Sequence, residues 1–311
     1  MFNLKFNRIW IKCIVLTCAL IFGAPSWAVT KEDLAKAIYE GKYNEAYKIA
    51  RVLAEQGIAE GQFTLGSFLI AGRGVRSNVT EGLEWVEKAA RQGVVEAQAM
   101  LGRLYISGGD IPIDNDKGIY WLRNAAEKKY PDSQYLLGLM YYYGEGVKRD
   151  YKIAFQWLLK AAQNNKVEAI DLVAEMLKKG QGVEKDYKAA FAWLEEGEKL
   201  GSEEATIQLG DFYRDGLGVI KDYEKAVEYY RRMAEKGIPE AMVRLGGMYQ
   251  SGRGVPENKV TAFMLYTLAA AEGNEMGRNL RDSIEKGMTK SQVKKAQELS
   301  KNWKKDTPFP E

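Results

Sequence analysis

The side chains able to do chemistry in this chain are few in kind. There is no histidine, and the two cysteines, Cys13 and Cys18, both fall within the first 28 residues. Triads built on imidazole, thiol nucleophiles and histidine-ligated metals are therefore excluded from the rest of the chain. Oxygen chemistry remains. Asp110, Asp114 and Asp116 lie in one short stretch and carry the atoms a calcium ion needs. The spacing lacks the bidentate glutamate of a calcium loop, and Asp114 stands where a helix cap is required. Glu195, Glu196 and Glu198 are carboxylates of the type used as general acids and bases, but they end a helical stretch and read as a solvated surface. A recurring Gly-x-Gly-Val resembles a phosphate cradle only in its glycines, because it follows a helix and lacks the lysine of a Walker loop. Asn78-Val79-Thr80 matches a glycosylation sequon, with Asn78 at an N-cap position. Trp85, Trp121, Trp157 and Trp193 form a ladder expected to be core rather than a sugar platform. No catalytic residue, cofactor or metal is assigned, and the chain is read as not an enzyme.

The first 28 residues have the build of a secretory signal peptide. Lys5, Arg8 and Lys12 precede an apolar run over residues 13–23, and Ser26 and Ala28 stand at −3 and −1 of a cleavage site. Eleven apolar residues are too few to span a bilayer as a helix. Cys18 sits poorly in a lipoprotein pattern. The full chain carries 45 basic and 42 acidic residues; removal of the three basic leader residues leaves 42 of each. A neutral, thiol-free mature chain suits an oxidising compartment and gives no reason to expect nucleic acid or an anionic membrane as partner. No integral membrane segment is expected after the leader is removed.

The elements that position these residues follow from a repeat. The four tryptophans are 36 residues apart, and the same step reaches Tyr229 and Leu265. Leu-Gly recurs at 65, 101, 137, 209 and 245, with Val173-Ala174 as a relaxed copy. The copies run 58–93, 94–129, 130–165, 166–201, 202–237 and 238–273. Each reads as two helices. The first (A) carries Leu-Gly and ends at Gly-x-Gly, where glycine accepts a left-handed cap; the valine after it is expected to plug the core. The second (B) starts at Asn78, Asp114, Asp150, Asp186, Asp222 or Asn258, residues whose side chains cap orphan N–H groups, and buries a stripe such as Ala154, Trp157, Leu158 and Ala161. One such pair cannot bury its apolar face alone, but stacked pairs can. The expected fold is all-α, a right-handed superhelical solenoid of antiparallel helix pairs with helical caps. Residues 29–57 read as an N-terminal helical cap, 274–303 as C-terminal capping helices in which Thr289-x-x-Gln292 is a capping box, and 304–311 as a frayed tail.

The frame A-x3-LG-x2-Y-x2-G-x-GV-x2-D-x3-A-x2-W-x3-AA-x2-G resembles the Sel-1-like repeat (SLR), a tetratricopeptide-related solenoid, over residues 58–273. Copy two departs from it at Gly108-Gly109-Asp110-Ile111, and copy four at Val173-Ala174 and Glu196-Gly197. The resemblance implies adaptor or scaffold roles, often periplasmic in bacteria, and carries no shared catalytic residues. Some cysteine-rich members were proposed to act on β-lactams, a comparison weakened by the absence of mature cysteines.

A partner would meet the outward face of the A helices. At ~100° per residue, the face opposite Ser133, Leu137 and Tyr141 holds Tyr135, Leu139 and Tyr142, with Tyr143 beside the last. Shifting by the repeat gives Phe63, Ile70, Arg103 and Ile106 before them, and Asp171, Glu175, Lys178, Asp211 and Arg214 after them. Copies one to three offer aromatic and aliphatic anchors; in copies four and five, Glu175, Lys178, Asp211 and Arg214 offer charges that would set register. The expectation is an exported protein–protein interaction scaffold of the bacterial envelope, periplasmic or released, acting as a monomer. Its partner is an envelope protein or, in a second reading, a secreted effector that the chain neutralises as an immunity protein. A third, a hydrolase of peptidoglycan or β-lactams, lacks an activated nucleophile.

Overall fold

The computed structural model describes residues 29–310; the leader assigned to residues 1–28 lies outside them. The described chain divides after Ala125 into two compact units. The first holds α1 (Lys31–Tyr39), α2 (Tyr43–Glu55), α3 (Ala59–Ala71), α4 (Val79–Arg91), α5 (Val95–Ser107) and most of α6 (Asn115–Glu127). The second holds α7 (Pro131–Tyr143), α8 (Tyr151–Gln163), α9 (Val167–Lys179), α10 (Tyr187–Lys199), α11 (Glu203–Asp215), α12 (Tyr223–Glu235), α13 (Pro239–Ser251), α14 (Lys259–Ala271), α15 (Glu275–Glu285) and α16 (Lys290–Asn302). Among the described residues there is no strand. Within the second unit each helix from α8 to α14 packs on its predecessor and its successor, which is the solenoid arrangement, and α14 carries both α15 and α16.

The punctuation is as the repeat dictates. Asn78, Asp150, Asp186, Asp222 and Asn258 each accept a backbone N–H of the first turn, and Asp114 accepts from Lys117 at 3.0 Å. Gly72, Gly144, Gly180, Gly216 and Gly252 end their helices in the left-handed conformation. Copy two is the exception: Gly108 has φ 68° and ψ −139°. Capping boxes at Thr30 and Thr289 open the first and last helices.

The core runs one residue away from the tryptophan ladder. Val86, Leu122, Leu158, Leu194, Tyr230 and Tyr266, each following the ladder position, are at most 1% exposed. All but Leu194, whose copy has Ala174, face the A-helix glycine: a Cβ on Gly138 would lie 2.6 Å from Leu158 Cγ, and one on Gly210 2.6 Å from Tyr230 Cε1. Trp121 is buried, but Trp85, Trp157 and Trp193 are only half-buried. Lys88 Nζ sits 3.8 Å above the Trp85 ring and Lys160 Nζ 4.2 Å above Trp157, a cation–π contact made at the solvent boundary. Three of the four tryptophans thus form a boundary layer, and the reading of the ladder as core, Trp157 included, is corrected everywhere but at Trp121.

The segment after α16 is also not frayed. Asp306 N–H donates to the Glu235 carbonyl at 2.7 Å, and Trp303 Nε1–H to the Thr307 carbonyl at 3.1 Å. Phe309 stacks on Trp303 at 5.0 Å and is 7% exposed within the last core cluster.

Candidate functional site

Of the residues on the outward A-helix face, the twelve expected to meet a partner, all but Asp171, separate into three groups. In the first unit, Phe63 and Ile70 pack against the cluster of Val86 and Trp121. Ile70 and Ile106 fill the notches left by glycines of the following B helix: a Cβ on Gly82 would meet Ile70 Cγ1 at 2.6 Å, and one on Gly118 would meet Ile106 Cδ1 at 2.5 Å. Their apolar surface is spent on helix packing, and of these four residues only Arg103 is exposed.

In the second unit the tyrosine triplet splits. Tyr141 is half-buried among the core's flanking residues. Tyr142 does not face outward freely. It packs edge-on to Tyr151 at 5.3 Å, and its hydroxyl donates to Gln181 Oε1 at 3.3 Å. Tyr143 is 60% exposed. With Tyr135 and Leu139, it stands on one α7 face at the edge of a groove of about 430 Å³. The rest of the lining is Glu168, Asp171, Leu172, Glu175 and Lys178 from α9, Glu204, Gln208 and Asp211 from α11, and Arg244 from α13.

The four charges expected to set register instead neutralise one another. Glu175 pairs with Lys178, and with Lys179 at 2.7 Å. Burial pushes Glu175 up, but the two lysines outweigh it and hold its carboxyl below the usual range. Asp211 pairs with Arg214 at 2.9 Å and Arg244 at 3.0 Å, and accepts from the Tyr230 hydroxyl at 2.7 Å. The unbalanced charge lies elsewhere. Among the described residues Asp171 accepts only from Ser202 Oγ, at 2.9 Å. Glu204 accepts from Gln208 Nε2 at 2.8 Å. Glu168 has Lys166 at 3.3 Å, while that lysine is closer to Asp132, at 2.7 Å. Sequence reasoning left Glu168, Leu172, Glu204, Gln208 and Arg244 out and did not single out Asp171. The signal was the repeat itself: 168 and 204 are one position of the frame, and 172, 208 and 244 another.

Burial pushes the Asp171 carboxyl up to about 6, with Glu204 and Glu168 adding to the rise and the Ser202 hydroxyl opposing it. The other groups around the groove are Glu175 and Lys178 on the same helix, Asp211 and Arg244 opposite, and Tyr135 and Tyr143 on α7. A raised carboxyl pKa means the folded state holds a proton that the unfolded state has lost. Asp171 therefore takes stability away as pH rises from about 4 through about 6. Asp171→Asn is expected to be more stable than the parent by on the order of 1–2 kcal/mol at pH 7.5, an advantage that fades at pH 4. Urea melts at both pH values check this; a difference independent of pH would show that burial does not disfavour the Asp171 charge.

The other candidates are ordinary. Asp114 pairs with Lys117 at 3.1 Å, Glu196 with Lys199 at 3.2 Å, and Glu198 with Arg232. Among the described residues no group of three or more acidic side chains is placed to hold a metal ion, and no helix is long and apolar enough to cross a membrane.

Fold and site together define an α/α repeat solenoid carrying a groove on its A helices. Six consecutive segments, 59–94, 95–130, 131–166, 167–202, 203–238 and 239–274, match the Sel1 repeat, and the chain belongs to the Sel1 repeat family. Sel1 repeats generally mediate protein–protein interaction, and their solenoid is typically a non-catalytic scaffold. A Sel1 repeat protein from Oxalobacter formigenes is 30% identical, with a TM-score of 0.63 over 81% of this chain and 76% of that one. A protective antigen of uropathogenic Escherichia coli with an SLR fold is 22% identical (TM-score 0.47, 87% and 84% covered). An immunity protein from Pseudomonas aeruginosa is 20% identical (TM-score 0.37, 70% and 83% covered). No curated protein matches the chain.

Proposed function

We propose that this chain is an exported, non-catalytic scaffold of the bacterial envelope that holds a protein partner in the groove lined by α7, α9, α11 and α13. The observation that carries this reading is the groove itself: an aromatic and aliphatic edge from Tyr135, Leu139 and Tyr143 beside a charged floor from α9 and α11. Tyrosine at a rim gives a large contact area with few rotors to order, the property that makes it an anchor at interfaces. Export is supported by the basic start, the apolar run over residues 13–23 and the small residues at Ser26 and Ala28.

The test is photo-cross-linking in intact cells, with a benzophenone amino acid at Tyr143 and, as control, at Ile220, which is 90% exposed in the loop before α12. The expected result is one discrete adduct from position 143, recovered with the periplasmic contents, and none from 220. Equal adducts from both positions would remove the groove as the working surface. Adducts recovered only with cytoplasmic proteins would remove export.

A further inference from the structure

We infer that the partner segment held in this groove presents a basic side chain to Glu168, Asp171 and Glu204, next to an apolar residue lying against Tyr135, Leu139 and Tyr143. This rests on the scaffold reading above and names the chemistry of its partner.

The charge inventory is the first argument. The lining holds five carboxylates and two cations. Both cations are committed, Lys178 to Glu175 and Arg244 to Asp211, and Lys179 and Arg214 complete those two pairs from the sides. Among the described residues Asp171 and Glu204 are left without a cation, and Glu168 shares Lys166 with Asp132. A cationic partner supplies what the fold does not.

The second argument is the polarity of the unused hydrogen-bonding groups. Gln208 lines the groove, is 8% exposed, and gives its amide N–H to Glu204, while its Oε1 carbonyl accepts from no described residue. Asp171 accepts one hydroxyl only. The floor is therefore rich in acceptors and poor in donors. Lysine and arginine are the side chains that carry several donors and no acceptor, and the planar guanidinium can bridge two carboxylates at once.

The third argument is position. The apolar residues come from α7 and α9 and the unmatched acids from α9 and α11, so the two kinds of lining lie along successive helices. An extended chain with an apolar residue beside a basic one matches that order. A small cation would leave Tyr143 and Leu139 unused. The fold also keeps Asp171 in a place that disfavours its own charge, with its carboxyl pushed up to about 6; a carboxylate held in such a place is a mark of a working site.

The experiment is fluorescence anisotropy on the purified protein with three labelled, capped octapeptides: leucine alternating with arginine, with citrulline, or with glutamate. The arginine peptide should bind. Citrulline, which keeps the shape and loses the charge, should weaken binding by about tenfold, and glutamate should abolish it. The Asp171→Asn/Glu204→Gln variant should weaken arginine-peptide binding by about tenfold as well. Circular dichroism should show its helix content unchanged, since neither change removes packing volume. Lowering the pH from 7.5 to 5 should weaken binding to the parent more than to Asp171→Asn. Equal binding of the arginine and citrulline peptides overturns the inference, as does no binding of any peptide. Agmatine competing as strongly as the arginine peptide also overturns it, because the apolar half would then contribute nothing. A discrete cross-link at Tyr143 to a segment whose affinity survives replacement of its lysines and arginines would leave the scaffold reading standing and sink this one. Arginine-specific peptide binding without any cross-link in cells would do the reverse.

Discussion

Gly182→Ala is expected to destabilise the protein far more than Gly180→Ala, although both glycines belong to one Gly-x-Gly loop and both have φ of 71°. Either alanine meets the left-handed penalty, about 1–2 kcal/mol. At Gly180 that is nearly the whole cost, because the nearest atom to a new methyl is Lys185 Cβ at 3.4 Å. At Gly182 the methyl would lie 2.1 Å from the Tyr151 carbonyl oxygen, 2.2 Å from its carbon and 2.6 Å from Lys152 N. Those are backbone atoms in the first turn of α8 and cannot rotate aside. The loop must retreat, and α9 and α10 must separate from α8, so the loss should exceed about 4 kcal/mol, the range reserved for changes with a specific steric cause. Solenoids can lose some repeats and keep others. Hydrogen exchange resolved by peptide is therefore the measurement, and protection should collapse first in α8 to α10. Comparable losses from the two variants would mean that the loop closes without touching the preceding repeat. The same contact recurs at Gly74 against Tyr43, Gly218 against Tyr187 and Gly254 against Tyr223. The second glycine of the loop is thus the seam between one repeat and the last.

That seam marks the limit of what could be read from the sequence. The helix pairs were legible because a 36-residue period, a capping Asp or Asn and a terminating glycine all act locally. The first glycine was explicable from φ alone. The second answers to a residue 31 positions earlier, and spacing does not reveal such contacts. The tryptophan ladder misled for a related reason. Trp157 and Leu158 are neighbours, ~100° apart on the helix, and size favoured the larger as core; packing against the bare face of Gly138 selected the smaller. In the groove, the lysine and arginine three residues after Glu175 and Asp211 were visible signs that those charges are internally paired. Arg244 arrives from the next repeat, so its contact with Asp211 needed the stacking distance between α11 and α13. The tail from 304 to 310 was illegible because its docking rests on the stacking of Trp303 and Phe309, two residues that no periodicity joins.

The glycine that admits Leu158 leads to the second large effect. Leu158 is fully buried, with its Cγ 2.6 Å and its Cδ2 2.7 Å from where a Gly138 Cβ would be. Leu158→Ala removes the side chain that fills the A–B interface of its repeat and should cost about 3–5 kcal/mol in transfer and cavity terms together. Gly138→Ala places a methyl into that leucine. It should cost about 1–3 kcal/mol through overpacking, somewhat offset by the better helix propensity of alanine. The two defects are complementary in shape, since one opens the space the other needs. The double variant should therefore be more stable than the sum of the singles by about 1–2 kcal/mol, a coupling of the size found between residues in contact. Denaturant melts of the four proteins give that number directly. Additive losses would mean that α7 and α8 shift apart on their own when either residue changes. The adjoining face of α7, ~100° round the helix from Gly138, carries Tyr135, Leu139 and Tyr143, so a shift of that helix moves one wall of the groove. Coupling confined to stability, with peptide affinity unchanged in the double variant, is the expected pattern for a scaffold whose inner packing fixes the spacing of its A helices.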